Sequence, residues 1–129
     1  MGGRVRKVGD VPVKPMYKAM VNSPSTELLF DIDSSQTEIA IADVAKLPDA
    51  PNLATIGIDE NAETILYTGK DSTRLLGVTR GFQGAASAWL AGVPVTRTFT
   101  EYDYDAIVEN IPKLIEGETK DIITFMGGS

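Results

Sequence analysis

The chain of 129 residues contains neither cysteine nor histidine. The first absence rules out a disulfide framework and thiolate metal sites. The second removes the commonest general base and the commonest metal ligand. No apolar run approaches the ~18 residues of a membrane-spanning helix. The basic residues near the N-terminus are followed by no apolar core, so the start of the chain does not read as a secretory signal. Aromatics make up only 7% of the residues, with a single tryptophan, Trp89. Positive charge is also scarce. Twelve Lys and Arg face eighteen Asp and Glu, a net charge of −6, which makes a poor partner for nucleic acid, whose affinity comes from clustered Lys and Arg.

The remaining composition is that of a globular protein, 43% hydrophobic and 23% charged. The length is that of one domain, and a chain of this size buries roughly two thirds of its unfolded surface. Its charge is unevenly spread. Residues 1–20 carry five basic residues (Arg4, Arg6, Lys7, Lys14 and Lys18) against Asp10, a net +4; the rest carries seven basic and seventeen acidic residues, a net −10. A basic tail on an acidic body is either a solvated terminus or an arm that lies on the acidic surface of a neighbour.

Residues 1–26 contain Gly2, Gly3, Pro12, Pro15 and Pro24 and show no sustained period, so they read as an extended arm. Within it, Val11-Pro12-Val13 is able to add a strand to another sheet. Residues 27–99 read as a β-domain. Residues 27–31 and 37–42 are expected to pair as a hairpin across the turn residues Asp33, Ser34, Ser35 and Gln36. Ile39 and Ile41 show the alternation of a half-buried strand. One helical turn is expected over residues 43–47, then strands over 53–58, 63–67 and 73–80, with a turn at 68–72. Short strands at this spacing predict a mainly β fold, a small β-sandwich or barrel, with the extended arm in front and an amphipathic helix behind.

That helix is expected over residues 100–117. Thr100 and Asp103 have the spacing of a capping box, and Tyr104, Ile107, Val108, Ile111, Leu114 and Ile115 recur at helical spacing. Pro112 is expected to kink or end it. Residues 118–129 hold a further apolar run, with Ile122, Ile123 and Phe125, that reads as a terminal strand returning to this domain or pairing with a neighbour.

The stretch 75–95 organises the domain. It reads as a strand, a loop bracketed by Gly81 and Gly84, a short turn anchored by Trp89, a second turn at Gly92, and a strand that either begins at Pro94 or lies at an edge. These pieces also carry a resemblance. In order they are the alternating strand 37–42, Leu47-Pro48, Ala54-Thr55-Ile56-Gly57, the Glu-Thr-Ile-x-Tyr-Thr-Gly strand at 63–69, the strand ending in Val78-Thr79-Arg80-Gly81, the small-residue segment ending at Trp89, Ala91-Gly92 before Val95, and the helix at about 101–115. The run from Glu27 to about Ile115 resembles a small domain recurrent in structural proteins of tailed bacteriophages. Ala85 stands where that family usually has Thr. The resemblance implies a part of the virion, assembled in the host cytoplasm and partnered by other virion proteins, and it implies an architectural role for Arg80, Gly81, Gly84, Trp89 and Gly92.

Motifs with chemistry fare poorly. Asp31-x-Asp33-x-Ser35 begins like a calcium loop, but Gln36 and Ala42 stand where Gly and Glu are needed. Gly69-Lys70-Asp71 lacks the Ser or Thr of a phosphate loop. No spacing among the carboxylates fixes a glycosidase pair, and no serine has a His partner. Trp89, Phe82, Tyr67 and Phe99 form either a sugar-binding platform or part of the core, and cores are where aromatics more often go. Arg80 meets a phosphate, a partner's carboxylate or, more commonly for an arginine before a glycine loop, a local acid such as Glu63.

The expected function is therefore non-enzymatic, with no cofactor, metal, nucleic acid or membrane. It is assembly or attachment of tail, baseplate, collar or fibre parts through a homo-oligomer. The expected partner-binding residues are Arg4, Arg6, Lys7, Lys14 and Lys18 of the arm and Ile122, Ile123 and Phe125 of the terminal strand. The alternative is a carbohydrate-binding module of a receptor-binding fibre.

Overall fold

The computed structural model describes residues 14–118, with side chains to residue 111. Arg4, Arg6, Lys7, the Val11-Pro12-Val13 segment, and the terminal strand with Ile122, Ile123 and Phe125 lie outside the described residues. The chain divides into two compact units, one comprising Tyr17–Phe99 and the other Met1–Met16 with Thr100–Ser129.

The first unit is mainly β. Its strands are β1 (Ser25–Glu27), β2 (Ile39–Ala40), β3 (Asn52–Ile56), β4 (Glu63–Lys70), β5 (Arg74–Gln83) and β6 (Pro94–Thr96). They form one antiparallel sheet in the order β1-β6-β3-β4-β5-β2. The sheet curls like a half-barrel. Its two edges are joined just beyond β1 and β2, where Leu28 pairs with Ile41. There the Leu29 N–H donates to the Ala40 carbonyl at 3.1 Å and the Ala42 N–H to that of Glu27 at 3.0 Å. Of the two expected architectures, barrel describes this sheet better than sandwich. The hairpin predicted for 27–31 and 37–42 is thus only this short rung. The main partner of β1 is β6.

The core is what the alternation requires. Leu28, Ile32, Ile39, Ile41, Leu47, Ala54, Ile56, Ile65, Tyr67, Leu75, Val78 and Val95 form one buried apolar cluster. Every second residue of a strand faces it. Tyr67 is the largest fully buried side chain; its hydroxyl donates to the Pro48 carbonyl at 2.6 Å, and burial pushes its phenol above the ordinary range. The expected helical turn is a 3₁₀ turn at Val44–Lys46, capped by Asp43, whose side chain accepts from the Ala45 N–H at 3.1 Å. The Lys70 ammonium closes its other end by donating to the carbonyls of Val44 and Leu47.

Three strand boundaries differ from expectation. β3 ends at Ile56, and Ile58 is exposed in the following turn. β4 runs on through Thr68, Gly69 and Lys70, so the turn falls at Asp71, which accepts from the N–H groups of Thr73 and Arg74. β5 runs to Gln83, so Gly81 is inside a strand and not at the mouth of a loop. β6 begins at Pro94 and sits between β1 and β3, where a proline at the first position leaves the ladder intact.

In the second unit, α1 (Glu101–Glu118) starts at the predicted capping box. The Thr100 hydroxyl accepts from the Asp103 N–H at 3.1 Å, and the Asp103 carboxylate accepts from the Thr100 N–H at 2.9 Å. The helix is not ended by Pro112.

Candidate functional site

Between Thr64↔Gln83 and Leu66↔Thr79, β4 advances two residues while β5 spans four. The two extra residues on β5 form a bulge, which bends the strand and re-aims its side chains. Arg80 sits in this bulge and turns towards Glu63 at the start of β4. The pair is close and buried: Arg80 Nε donates to Glu63 Oε2 at 2.8 Å, and Nη2 to Oε1 at 2.9 Å. Glu63 has no exposed surface.

Five hydrogen bonds converge on this one carboxylate. Besides the two from Arg80, it accepts from the N–H of Gly81 at 2.9 Å, the N–H of Ser87 at 3.0 Å and Nε1 of Trp89 at 2.9 Å. Burial alone pushes the Glu63 carboxyl up. The donors from Arg80, Trp89, Gly81 and Ser87 outweigh it and hold the group below the usual carboxylate range. Arg80 is equally saturated. Its other N–H groups donate to the carbonyls of Asp33, Gln36 and Ser87, so all five guanidinium donors are used.

The sequence pointed to this pair but not to the rest of the cluster. Trp89, Ser87 and Gly81 meet the Glu63 carboxylate and the 33–36 turn meets the Arg80 guanidinium at the bulge, which has no periodic signal. Each motif residue has a place here. Trp89 is half-buried against the core and exchanges backbone hydrogen bonds with Ile32 at 2.8 and 3.0 Å. Gly84 has φ +75°, and a Cβ there would come within 2.7 Å of the Ala62 carbonyl oxygen. Gly92 has φ +89° in an open turn, and its N–H donates to the Leu28 carbonyl. This arrangement locks loops to strands. It offers no unpaired acid, base or nucleophile.

The aromatics weighed as a platform or core differ in burial. Tyr67 is fully buried, the Trp89 indole N–H is committed to Glu63, and Phe99 is exposed. Asp33 accepts from the Ser35 N–H as an ordinary turn residue, and no group of three acidic residues suited to a metal occurs among the described residues.

The two described lysines of the arm differ from each other. Lys18 is held by its backbone: its carbonyl accepts from Asn52 Nδ2 and Arg97 Nε, both at 3.0 Å. Buried Arg97 also donates to the carbonyl of Tyr17 at 3.0 Å. Lys14 is clamped to α1. Its N–H donates to Asn110 Oδ1 and its carbonyl accepts from Asn110 Nδ2, each at 2.7 Å. Its ammonium lies 3.4 Å from Glu109 and 4.9 Å from the centre of the Tyr102 ring. The Tyr102 hydroxyl donates to the Pro15 carbonyl at 2.7 Å. The charge of Lys14 is therefore matched within its own chain.

The face that α1 turns outward is unexpected. Tyr104, Ile107, Val108 and Ile111 are 58%, 42%, 47% and 48% exposed, while Asp103, Ala106 and Asn110 are 8%, 0% and 1% exposed. The apolar stripe read from the sequence exists, but the buried side is the polar and small one. Among the described residues no helix is long and apolar enough to cross a membrane. No family model, curated protein or solved structure matches the chain.

Proposed function

We propose that the chain is a non-enzymatic structural component of a tailed-phage virion, serving assembly or attachment of tail, baseplate, collar or fibre parts by self-association. The observation that carries this reading is the outward apolar stripe of α1. Four large apolar side chains at i, i+3, i+4 and i+7 form one continuous surface, while buried Asn110 and Asp103 are fully engaged on the other side. An exposed apolar patch of this kind marks an interaction surface. The resemblance of residues 27–115 to the phage domain supplies the setting. The Glu63–Arg80 cluster supplies a rigid body for such a part, since its donors are spent on holding loops to the sheet.

In this reading the basic arm supplies the second contact by docking on the acidic body of a neighbour. The test is the solution mass of the full chain and of a chain lacking residues 1–13, at low and high salt. That deletion spares Lys14, Tyr17 and Lys18, whose backbones satisfy Asn110, Arg97 and Asn52. The full chain is expected to be an oligomer at low salt, and removal of the arm or high salt is expected to lower its mass. A full chain that is monomeric at every salt and concentration would overturn self-association.

A further inference from the structure

We infer that the apolar stripe of α1 is the docking surface for residues 1–13 of a second copy of this chain. The inference rests on the assembly reading and deepens it by naming both sides of the contact.

The receiving side is apolar with an acidic border. Tyr104, Ile107, Val108 and Ile111 supply the stripe. Four acids and no base occur in residues 101–111. Asp103 is engaged in the cap and Glu109 pairs with Lys14. Glu101 and Asp105 flank the stripe next to Tyr104 and Val108 and have no ion-pair partner among the described residues. The arriving side has the complementary pattern. Residues 1–13 carry Arg4, Arg6 and Lys7 against one acid, Asp10, with Val5, Val8 and Val11 at every third position. A spacing of three puts such residues on one edge of a polyproline-II segment, about 9 Å apart. The stripe from Tyr104 to Ile111 is about 10 Å long at 1.5 Å per residue. Two valines span it while the basic residues reach Glu101 and Asp105.

The clamp on Lys14 favours a neighbour over the same chain. Tyr102 and Glu109 lie on the side of α1 away from the stripe, and Asn110 lies on its buried face. Lys14 is thus held on the side of α1 away from the stripe, so the chain's own arm has to cross the helix to reach it whereas a neighbour's arm does not. A second α1 is a poorer occupant, because it would set acid against acid around the seam.

The absence of cysteine makes the contact testable by disulfide trapping in the full-length chain. One batch carries Val8→Cys and a second carries Ile111→Cys; they are mixed and oxidised. The expected product is a mixed dimer when oxidation is carried out at low salt, and its yield falls when oxidation is carried out at 1 M salt, where the screening length is about 3 Å. A control pairing Val8→Cys with Val21→Cys, at another exposed site, is expected to give no such product. Far-UV circular dichroism and Trp89 fluorescence unchanged from the parent would show that each variant is folded. An intrachain bond in the Val8→Cys/Ile111→Cys chain with no mixed dimer would overturn the inference in favour of the chain's own arm. Homodimers of Ile111→Cys in place of mixed dimers would overturn it in favour of paired helices. If removing residues 1–13 lowers the solution mass but no mixed dimer forms, the arm docks elsewhere: this inference falls and the assembly reading stands.

Discussion

The two units of this protein both satisfy their buried polar groups and differ in where they place apolar side chains. At the Glu63–Arg80 cluster, two buried charges are surrounded by donors and acceptors until every guanidinium N–H is used and the carboxylate holds five hydrogen bonds. Among the described residues no large apolar residue of a strand is exposed, and the exposed ones of that unit, such as Phe30, Ile58 and Phe99, lie outside the strands. In α1 the polar Asn110 and Asp103 are inside, and Tyr104, Ile107, Val108 and Ile111 are outside. The first pattern belongs to a unit whose interior is complete. The second belongs to a helix whose apolar side chains are exposed. Substitutions should separate the two, because the cost of a change ought to follow burial and hydrogen bonding in both units, and apolar character in only one.

The largest expected loss is at the carboxylate. Glu63→Gln leaves the Arg80 charge buried without its counter-ion, and removal of one member of a buried pair costs about 3–5 kcal/mol. Denaturant unfolding measures it. The same group gives the fold an acid limit. Its pKa is lower folded than unfolded, so its contribution is complete above the ordinary glutamate value of about 4.3. That contribution is lost as pH falls through the folded value. Stability of the parent should therefore decline in acid more steeply than that of Glu63→Gln; parallel acid limbs would count against the ionised, paired carboxylate.

Next come the glycines of the same region. Gly84→Ala combines a positive φ with a Cβ at 2.7 Å from a backbone oxygen and should cost about 1–3 kcal/mol or more. Gly92→Ala has a similar φ but nothing within 4 Å, so only the conformational cost of about 1 kcal/mol remains. Equal losses at the two positions would mean that Gly84 is not packed as described.

On α1 the order of residue types inverts. Asn110→Ala removes two hydrogen bonds to the Lys14 backbone and should cost about 1 kcal/mol, since water replaces part of what is lost. Ile107→Lys and Ile111→Lys should each change the stability of the dissociated chain by less than about 0.5 kcal/mol. A large loss from either lysine in a monomeric chain would place the stripe in a core.

How far each feature was legible in the sequence follows from the range of the interaction behind it. Local ones were plain. Thr100 and Asp103 cap α1 because their spacing is set within one turn, and Ile39, Ile56, Ile65 and Val95 reach the core because alternation puts them there. The Glu63–Arg80 pair was nameable only as the commonest of three partners, since an arginine more often meets a local acid than a phosphate or a neighbour's carboxylate. Its additional donors were not, because they depend on two extra residues in β5 that no periodicity announces. The helical spacing of Tyr104, Ile107, Val108 and Ile111 revealed an apolar stripe. It did not reveal its direction, because what covers a stripe is decided by tertiary packing and by partners. Tyr67 and Phe99 look alike as aromatics in strand-like segments, yet one is the heart of the core and the other is exposed.

The most direct measurement is the solution mass of the full chain beside that of Ile107→Lys/Ile111→Lys, by light scattering at low salt and matched concentration. The account predicts an oligomer for the parent and a folded monomer for the variant, with unchanged Trp89 fluorescence and helix content. A variant that keeps the mass of the parent would contradict the claim that the outward face of α1 is where this protein meets its neighbour.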